Sequence, residues 1–216
     1  AGRITGGIDV FPDAVFDELH QRGQVVVHSN EFEREAALSE AGASGDLVVA
    51  DTREQVASLN AAIRDQRQGA AVSDDALVTA RGEQIGLGDR VATRRNDPDL
   101  GVANRQTWTV SRIGDDGGLV LRGKGRARVI PAEYAAKFVE LAYATTVHGA
   151  QGETVDRAHL AIGETTGAAA AYVAMTRGRH DNTAHLVAET VEDARKQWVA
   201  VFGRDRADLG PAHAKR

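Results

Sequence analysis

The 216-residue sequence contains no cysteine, which excludes disulfides, thiolate metal sites, iron–sulfur clusters and a thiol nucleophile together. That suits a reducing cytoplasm, the expected location. No apolar run approaches the roughly 20 residues that span a bilayer, so no membrane segment is expected. The opening AGRITGGIDVFPD also lacks the apolar centre of a signal peptide. No two histidines stand at H-x-x-x-H spacing, so no metal site is expected. The phosphate-gripping G-x-x-x-x-G-K-[ST] loop is missing too. GLVLRGKG, Gly118 to Gly125, comes nearest, but Gly125 stands where a magnesium-binding hydroxyl belongs, and the run lies between β segments. LVVAD ends in an aspartate followed by Thr52 rather than a second carboxylate, which reads as a strand and a helix cap.

What is present is an ordinary globular composition: 42% hydrophobic and 26% charged residues, far from the balance of disordered chains and enough to bury a core. The net charge of −5 is unevenly spread. Between Gly88 and Ile130, nine basic residues face five acidic ones, so this segment is +4 and the remainder −9. A basic module within an acidic chain fits a surface for a nucleic-acid backbone, and equally a set of solvated strands.

The chain opens in helical patterns. FPDAVFDELHQRG has a proline near its start, apolar Val15, Phe16 and Leu19, and a closing glycine; SNEFEREAALSEAG offers Asn30 as a cap with Glu33 three residues on. Residues 1–45 therefore read as a helical lead-in. Leu47 to Ala50 reads as a buried strand, and Thr52 with Gln55 as a capping box for a helix bearing Val56, Leu59 and Ile63. From 83 to 141, short β segments (DRVATRR, TWTVSRI, GLVLRG, RARVIP) alternate with turns at NDPDLG and GDDGG, the pattern of a small all-β barrel. Alternation then resumes with AHLAIG, GAAAAYVAMTRGR, AHLVAE and TVEDARKQWVAVFG, the last aligning Ala194, Trp198 and Val201. The expectation is an α/β domain with a parallel sheet over 46–82 and 142–203, a β insert at 83–141, and a polar tail at 204–216.

Two stretches carry chemistry. In YATTVHGAQGETVD, Thr145, Thr146 and His148 offer compact hydroxyl and imidazole groups to a phosphate or sugar. Gln151, Gly152 and Glu153 supply an amide, a turn and a carboxylate for water or a nucleotide. A polar helix cap followed by a glycine turn is the plainer alternative. In AYVAMTRGRHDN a helix of small residues ends at Thr176-Arg177-Gly178-Arg179, where a guanidinium could fork onto phosphate oxygens or simply serve the helix dipole.

Together these stretches resemble motifs V and VI of superfamily 1 helicases of the 5′→3′ branch. LGDRVATRRNDPDLGVANRQTWTV is similar to the SH3-like barrel inserted in the second RecA-like (P-loop NTPase-type) motor domain of conjugative relaxases of the MobF class, as found in actinobacteria. The resemblance covers roughly residues 46 to 188. It implies that Thr145, Thr146 and His148 touch single-stranded DNA, with Arg94, Arg95 and Trp108 of the basic barrel lining its channel; Trp108 reads equally as a barrel core aromatic. It further implies that Gln151, Gly152, Glu153, Arg177 and Arg179 face the nucleotide, with Gln151 and Arg177 acting in catalysis and Arg177 contacting the γ-phosphate. Two positions depart from the family's pattern: Gly149 stands where a basic residue is frequent, and Arg105 where the barrel turn usually has glycine. The implied cofactors are ATP and Mg2+ in a full-length protein and none in these residues alone. The implied partners are single-stranded DNA and a first RecA-like domain of the same polypeptide. Such a chain is expected to be the inactive half of a helicase motor. The alternatives are a non-catalytic module binding single-stranded nucleic acid or protein, and the motor subunit of a recombination exonuclease.

Overall fold

A computed structural model describes residues 12–68, 76–123, 125–151, 154–163 and 165–207. Helix α1 (Pro12–Gln21) begins on its proline, carries Asp13 in the first turn and is followed by Gly23 at φ 72°. Strand β1 (Val25–His28) follows. It is a correction to the purely helical reading of the opening segment: Val25-Val26-Val27 is apolar and β-branched, but four residues are too few to show a period. Helix α2 (Glu31–Ala43) is capped as expected, Asn30 Oδ1 accepting the Glu33 N–H at 2.9 Å and Glu33 Oε2 accepting the Ser29 N–H at 3.2 Å.

Strand β2 (Leu47–Ala50) is wholly buried, and α3 (Arg53–Gln68) starts on the predicted capping box. Thr52 Oγ1 accepts the Gln55 N–H at 3.2 Å, and Gln55 Oε1 accepts the Thr52 N–H at 3.3 Å. Val56, Leu59 and Ile63 form its buried face. A short hairpin of β3 (Leu77–Val78) and β4 (Gln84–Ile85) leads to β5 (Arg90–Thr93), β6 (Thr107–Ile113), β7 (Leu119–Gly123) and β8 (Arg126–Ile130). Helix α4 (Ala132–Phe138), which the all-β reading of this segment missed, then turns the chain into β9 (Val139–Leu141). Next come β10 (Ala144–Thr146), α5 (Val147–Ala150), β11 (Val155–Ala161), α6 (Ala168–Ala174), β12 (Gly178–Val187) and α7 (Val191–Ala207).

These elements fall into two compact units, Ala1–Arg34 with Thr154–Arg216, and Glu35–Glu153. In the first, β12 lies between β1 and β11 with both pairings parallel. There α1 meets α7: the Phe16 and Trp198 rings are 6.1 Å apart, edge to face, and Ala194, Trp198 and Val201 are buried together as their spacing predicts. In the second unit β2 and β10 pair in parallel, and an antiparallel sheet runs β8-β7-β6-β5-β9. The expected α/β class with parallel pairing is thus found. Strand β2 is apolar and buried throughout, as a parallel strand covered by helices should be, whereas β11 and β12 are polar and exposed at their starts and buried toward their ends, and β10 buries only Ala144 fully.

A candidate nucleic-acid and nucleotide site

The stretch singled out in the sequence begins at a strand held from both sides. Asn60 of α3, only 2% exposed, donates from Nδ2 to the Leu141 carbonyl at 3.1 Å and accepts the Ala144 N–H at 2.7 Å. One buried amide thereby bonds the backbone on both sides of the β9–β10 connection. Tyr143 is anchored through its hydroxyl to Asp89. Strand β10 then runs beside β2 with Thr145 opposite Val49 and Thr146 opposite Ala50.

Thr146 ends the strand and caps α5: its backbone is extended (φ −78°, ψ 163°), and its Oγ1 accepts the Gly149 N–H at 3.3 Å. The plainer cap reading is therefore real, and it also aims the loop. Val147 and Ala150 are buried while His148 and Gln151 are exposed, so the hydroxyls at the end of β10 and the outward side chains of the turn lie on one short stretch, Thr145 to Gln151. Gly149 lets the Thr145 hydroxyl lie against the turn, since a Cβ there would fall 2.1 Å from Thr145 Oγ1. Gly152 and Glu153 lie outside the described residues.

Beside this loop is a cleft of about 360 Å³ whose lining includes Arg53, Arg94, Arg105, Glu140, Thr146 and Gly149. Arg94 is half-buried, its Nε donating to Glu140 Oε2 at 2.6 Å, and Arg81 pairs with the same carboxylate. Burial, then the Glu140 charge, pushes the nearby Glu83 carboxyl up to about 7. Arg95 is exposed and lies over the Phe138 ring at 5.1 Å. Trp108 is corrected to a core residue. It is 2% exposed and packs over Gly123, where a Cβ would approach its ring to 3.0 Å, so it has no face on which a base could stack.

The arginine pair lies in the other unit. Arg177 follows α6 and turns back along it, Nε donating to the Val173 carbonyl at 2.8 Å and Nη2 to Thr176 Oγ1 at 3.1 Å. The helix-end contact and an arginine at the mouth of β12 coexist here. Gly178 permits the bend, because a Cβ there would sit 1.9 Å from the Asp181 carbonyl oxygen. Arg179 is exposed, 3.8 Å from Asp156. Residues missed by sequence reasoning are Asn60 and Asp89, buried polar groups whose partners are distant in sequence; Arg105 was visible only as an arginine where a glycine is usual.

A Pif1 helicase of Bacteroides bound to single-stranded DNA matches 94% of this chain and 54% of its own, with a TM-score of 0.57 at 15% identity. A Pif1 structure described as unwinding forked double-stranded DNA matches 98% and 54%, with a TM-score of 0.57 at 17% identity. This is the RecA-like α/β fold of those helicases. No protein-family model matches the chain. Among curated proteins, "uncharacterized protein Rv2311" of Mycobacterium tuberculosis is 32% identical over 125 residues, 56% of this chain and 71% of that one. The multifunctional conjugation protein TraI of Escherichia coli K12 is 29% identical over 137 residues, and the conjugal transfer protein TraA of Rhizobium radiobacter 31% over 140. These matches span 60% and 62% of this chain but 7% and 13% of the conjugation proteins. The chain belongs to the family of Rv2311, and the resemblance of its motifs to the superfamily 1 helicase region of conjugative relaxases is upheld by the TraI and TraA homologues and the Pif1 fold.

Proposed function

We propose that this chain is the second RecA-like half of an ATP-dependent DNA helicase motor from a conjugative relaxase–helicase acting in the cytoplasm. Residues 46–82 and 142–203 form the motor domain, 83–141 an SH3-like barrel, 1–45 a lead-in and 204–216 a tail. The observation that carries this reading is the Thr145–Gln151 loop. A half-buried parallel strand ends in two threonine hydroxyls, and the capped turn that follows presents an exposed histidine and an exposed glutamine, beside an arginine-lined cleft. Thr145, Thr146 and His148 would meet single-stranded DNA, with Arg94 and Arg95 beside them. Gln151, Gly152, Glu153, Arg177 and Arg179 would meet the nucleotide. ATP and Mg2+ would be gripped by a first RecA-like domain of the longer polypeptide, because these 216 residues contain no G-x-x-x-x-G-K-[ST] loop. The chain alone would hydrolyse nothing. The test is Arg177→Ala in the longer protein: loss of an arginine finger lowers turnover by on the order of 10³–10⁵, whereas unchanged DNA-stimulated ATPase would sink the assignment.

One observation favours a second reading, a non-catalytic module for single-stranded nucleic acid. The 125-residue match covers 71% of Rv2311, so that relative is shorter than this chain and too small for two RecA-like domains. Oligonucleotide titration in a salt series separates the two. A dedicated module binds tightly with a steep salt slope, and an isolated motor half binds weakly.

A further inference from the structure

The turn before β6 places an arginine where backbone geometry favours glycine. Arg105 is the one non-glycine residue with positive φ, 65°, among the described residues. Its N–H is held by the Thr93 carbonyl at 2.7 Å, and the preceding Asn104 N–H by Asn96 Oδ1 at 2.7 Å. The turn therefore fixes the direction in which the exposed side chain leaves. It leaves toward the candidate site: Arg105 Nη1 donates to the His148 carbonyl at 2.9 Å, across 43 residues of sequence.

The element it reaches carries no lysine or arginine from Val147 to Gln151, and a side chain at Gly149 would have to displace the Thr145 hydroxyl. The cleft beside it also has Arg53, and Arg81 and Arg94, both of which pair with Glu140. We propose that Arg105 supplies, from the insert's turn, the fixed cation that α5 does not carry, and contacts a phosphate of a single strand lying on Thr145, Thr146 and His148. The inference rests on the reading of that loop as DNA-facing. A guanidinium suits the task because its planar fork can spend one N–H on a carbonyl and keep others for a phosphate, which a lysine's single ammonium does with less fixed geometry.

The experiment is fluorescence anisotropy of a labelled oligothymidylate with the 216-residue chain, its R105G and R105K variants, from low to moderate salt. Glycine suits φ 65°, so R105G is expected to melt at or above the wild-type temperature. It should bind about 5–10-fold more weakly at low salt, with the slope of log K against log salt reduced by about one unit. R105K should restore the slope and only part of the affinity. Unchanged affinity and slope in R105G, or weaker binding with an unchanged slope and a lower melting temperature, would overturn the inference while leaving the DNA reading in place. A wild-type chain that binds no oligonucleotide at any salt would remove both.

Discussion

The Tyr143 hydroxyl donates to Asp89 Oδ1 at 2.8 Å, joining the residue that precedes the site strand to the turn that opens the antiparallel sheet. Asp89 is fully buried and accepts from Arg64 Nε at 3.0 Å, Gln68 Nε2 at 2.6 Å and the Gly86 N–H at 2.6 Å. Burial, then the hydrogen bond and charge of Asp89, pushes the Tyr143 phenol up to about 12, so it remains a donor at any working pH. The consequences of the two obvious substitutions differ. Tyr143→Phe removes one hydrogen bond and is expected to cost about 1 kcal/mol. Asp89→Ala strands the buried Arg64 guanidinium, whose Nη2 already has no hydrogen-bond partner, and is expected to cost about 3–5 kcal/mol. Urea unfolding of both variants checks the order; equal losses would mean that Asp89 is not the hub.

A second relationship governs acid stability. His28 Nε2 and His185 Nδ1 are 2.9 Å apart, and His185 Nε2 and His159 Nδ1 3.0 Å, a ladder across β1, β12 and β11. Burial first, then the charges of His159, His28 and Arg34, lowers His185 to about 3; burial and Arg34 also lower His28, against a small opposing effect of Glu33. An unfolded histidine takes its proton near 6.5, whereas folded His185 refuses it. The unfolded state therefore binds more protons between about pH 3 and 6.5, and stability is fully present above that window and lost as pH falls through it, by roughly 1.4 kcal/mol per pH unit for one such group. His185→Leu is expected to flatten this slope in denaturation midpoints measured from pH 4 to 7. A wild-type slope that persists in the variant would assign it elsewhere.

Glu83 acts with the opposite sign. Its folded carboxyl is raised to about 7, by burial first and then by Glu140, while the unfolded one ionises near 4.5. Between those values the folded state holds the extra proton, so stability falls as pH rises through the window. Glu83→Gln keeps an acceptor for the Leu141 N–H, bonded at 3.3 Å in the native protein, and carries no charge to repel Glu140. The variant is expected to lose the decline between pH 4.5 and 7 and to gain most, relative to the parent, above pH 7. Because the histidine ladder opposes it between pH 4.5 and 6.5, the two variants should tilt the stability profile in opposite directions. Parallel profiles for Glu83→Gln and the parent would count against the raised carboxyl.

The parts legible in the sequence were those written locally. Capping pairs three residues apart (Asn30 with Glu33, Thr52 with Gln55) and the faces of α3 and α7 predicted helices that the structure contains. Strand β6 coincides with TWTVSRI. What escaped is non-local or too short to have a period. Strand β1 has four residues and α4 seven, while the side-chain pairs of the Asp89 hub and the histidine ladder join residues 21 to 157 positions apart. Trp108 shows a further limit: strand alternation says that it faces one side of a sheet, but only the packing over Gly123 says which side is core.

A Cβ at Gly149 or Gly178 would meet a neighbouring atom, and the obstacles differ in kind. At Gly149 the clash is with Thr145 Oγ1, a hydroxyl that can rotate about χ1. Gly149→Ala should therefore fold with a melting temperature close to that of the parent and lose oligonucleotide affinity, because the displaced hydroxyl is one of the groups assigned to DNA. At Gly178 the clash is with the Asp181 carbonyl oxygen, fixed in strand β12, with Asn182 Oδ1 a further 3.0 Å contact that also accepts the Gly178 N–H at 2.7 Å. Backbone cannot rotate away, so Gly178→Ala should shift the turn carrying Arg177 and destabilise the chain by about 1–3 kcal/mol. In the longer protein it should reduce ATPase turnover more than Gly149→Ala does, since the shifted residue is the proposed γ-phosphate contact. Calorimetry of both variants with parallel ATPase and anisotropy measurements decides it: a destabilised Gly149→Ala with intact DNA binding would reverse the roles given to the two glycines.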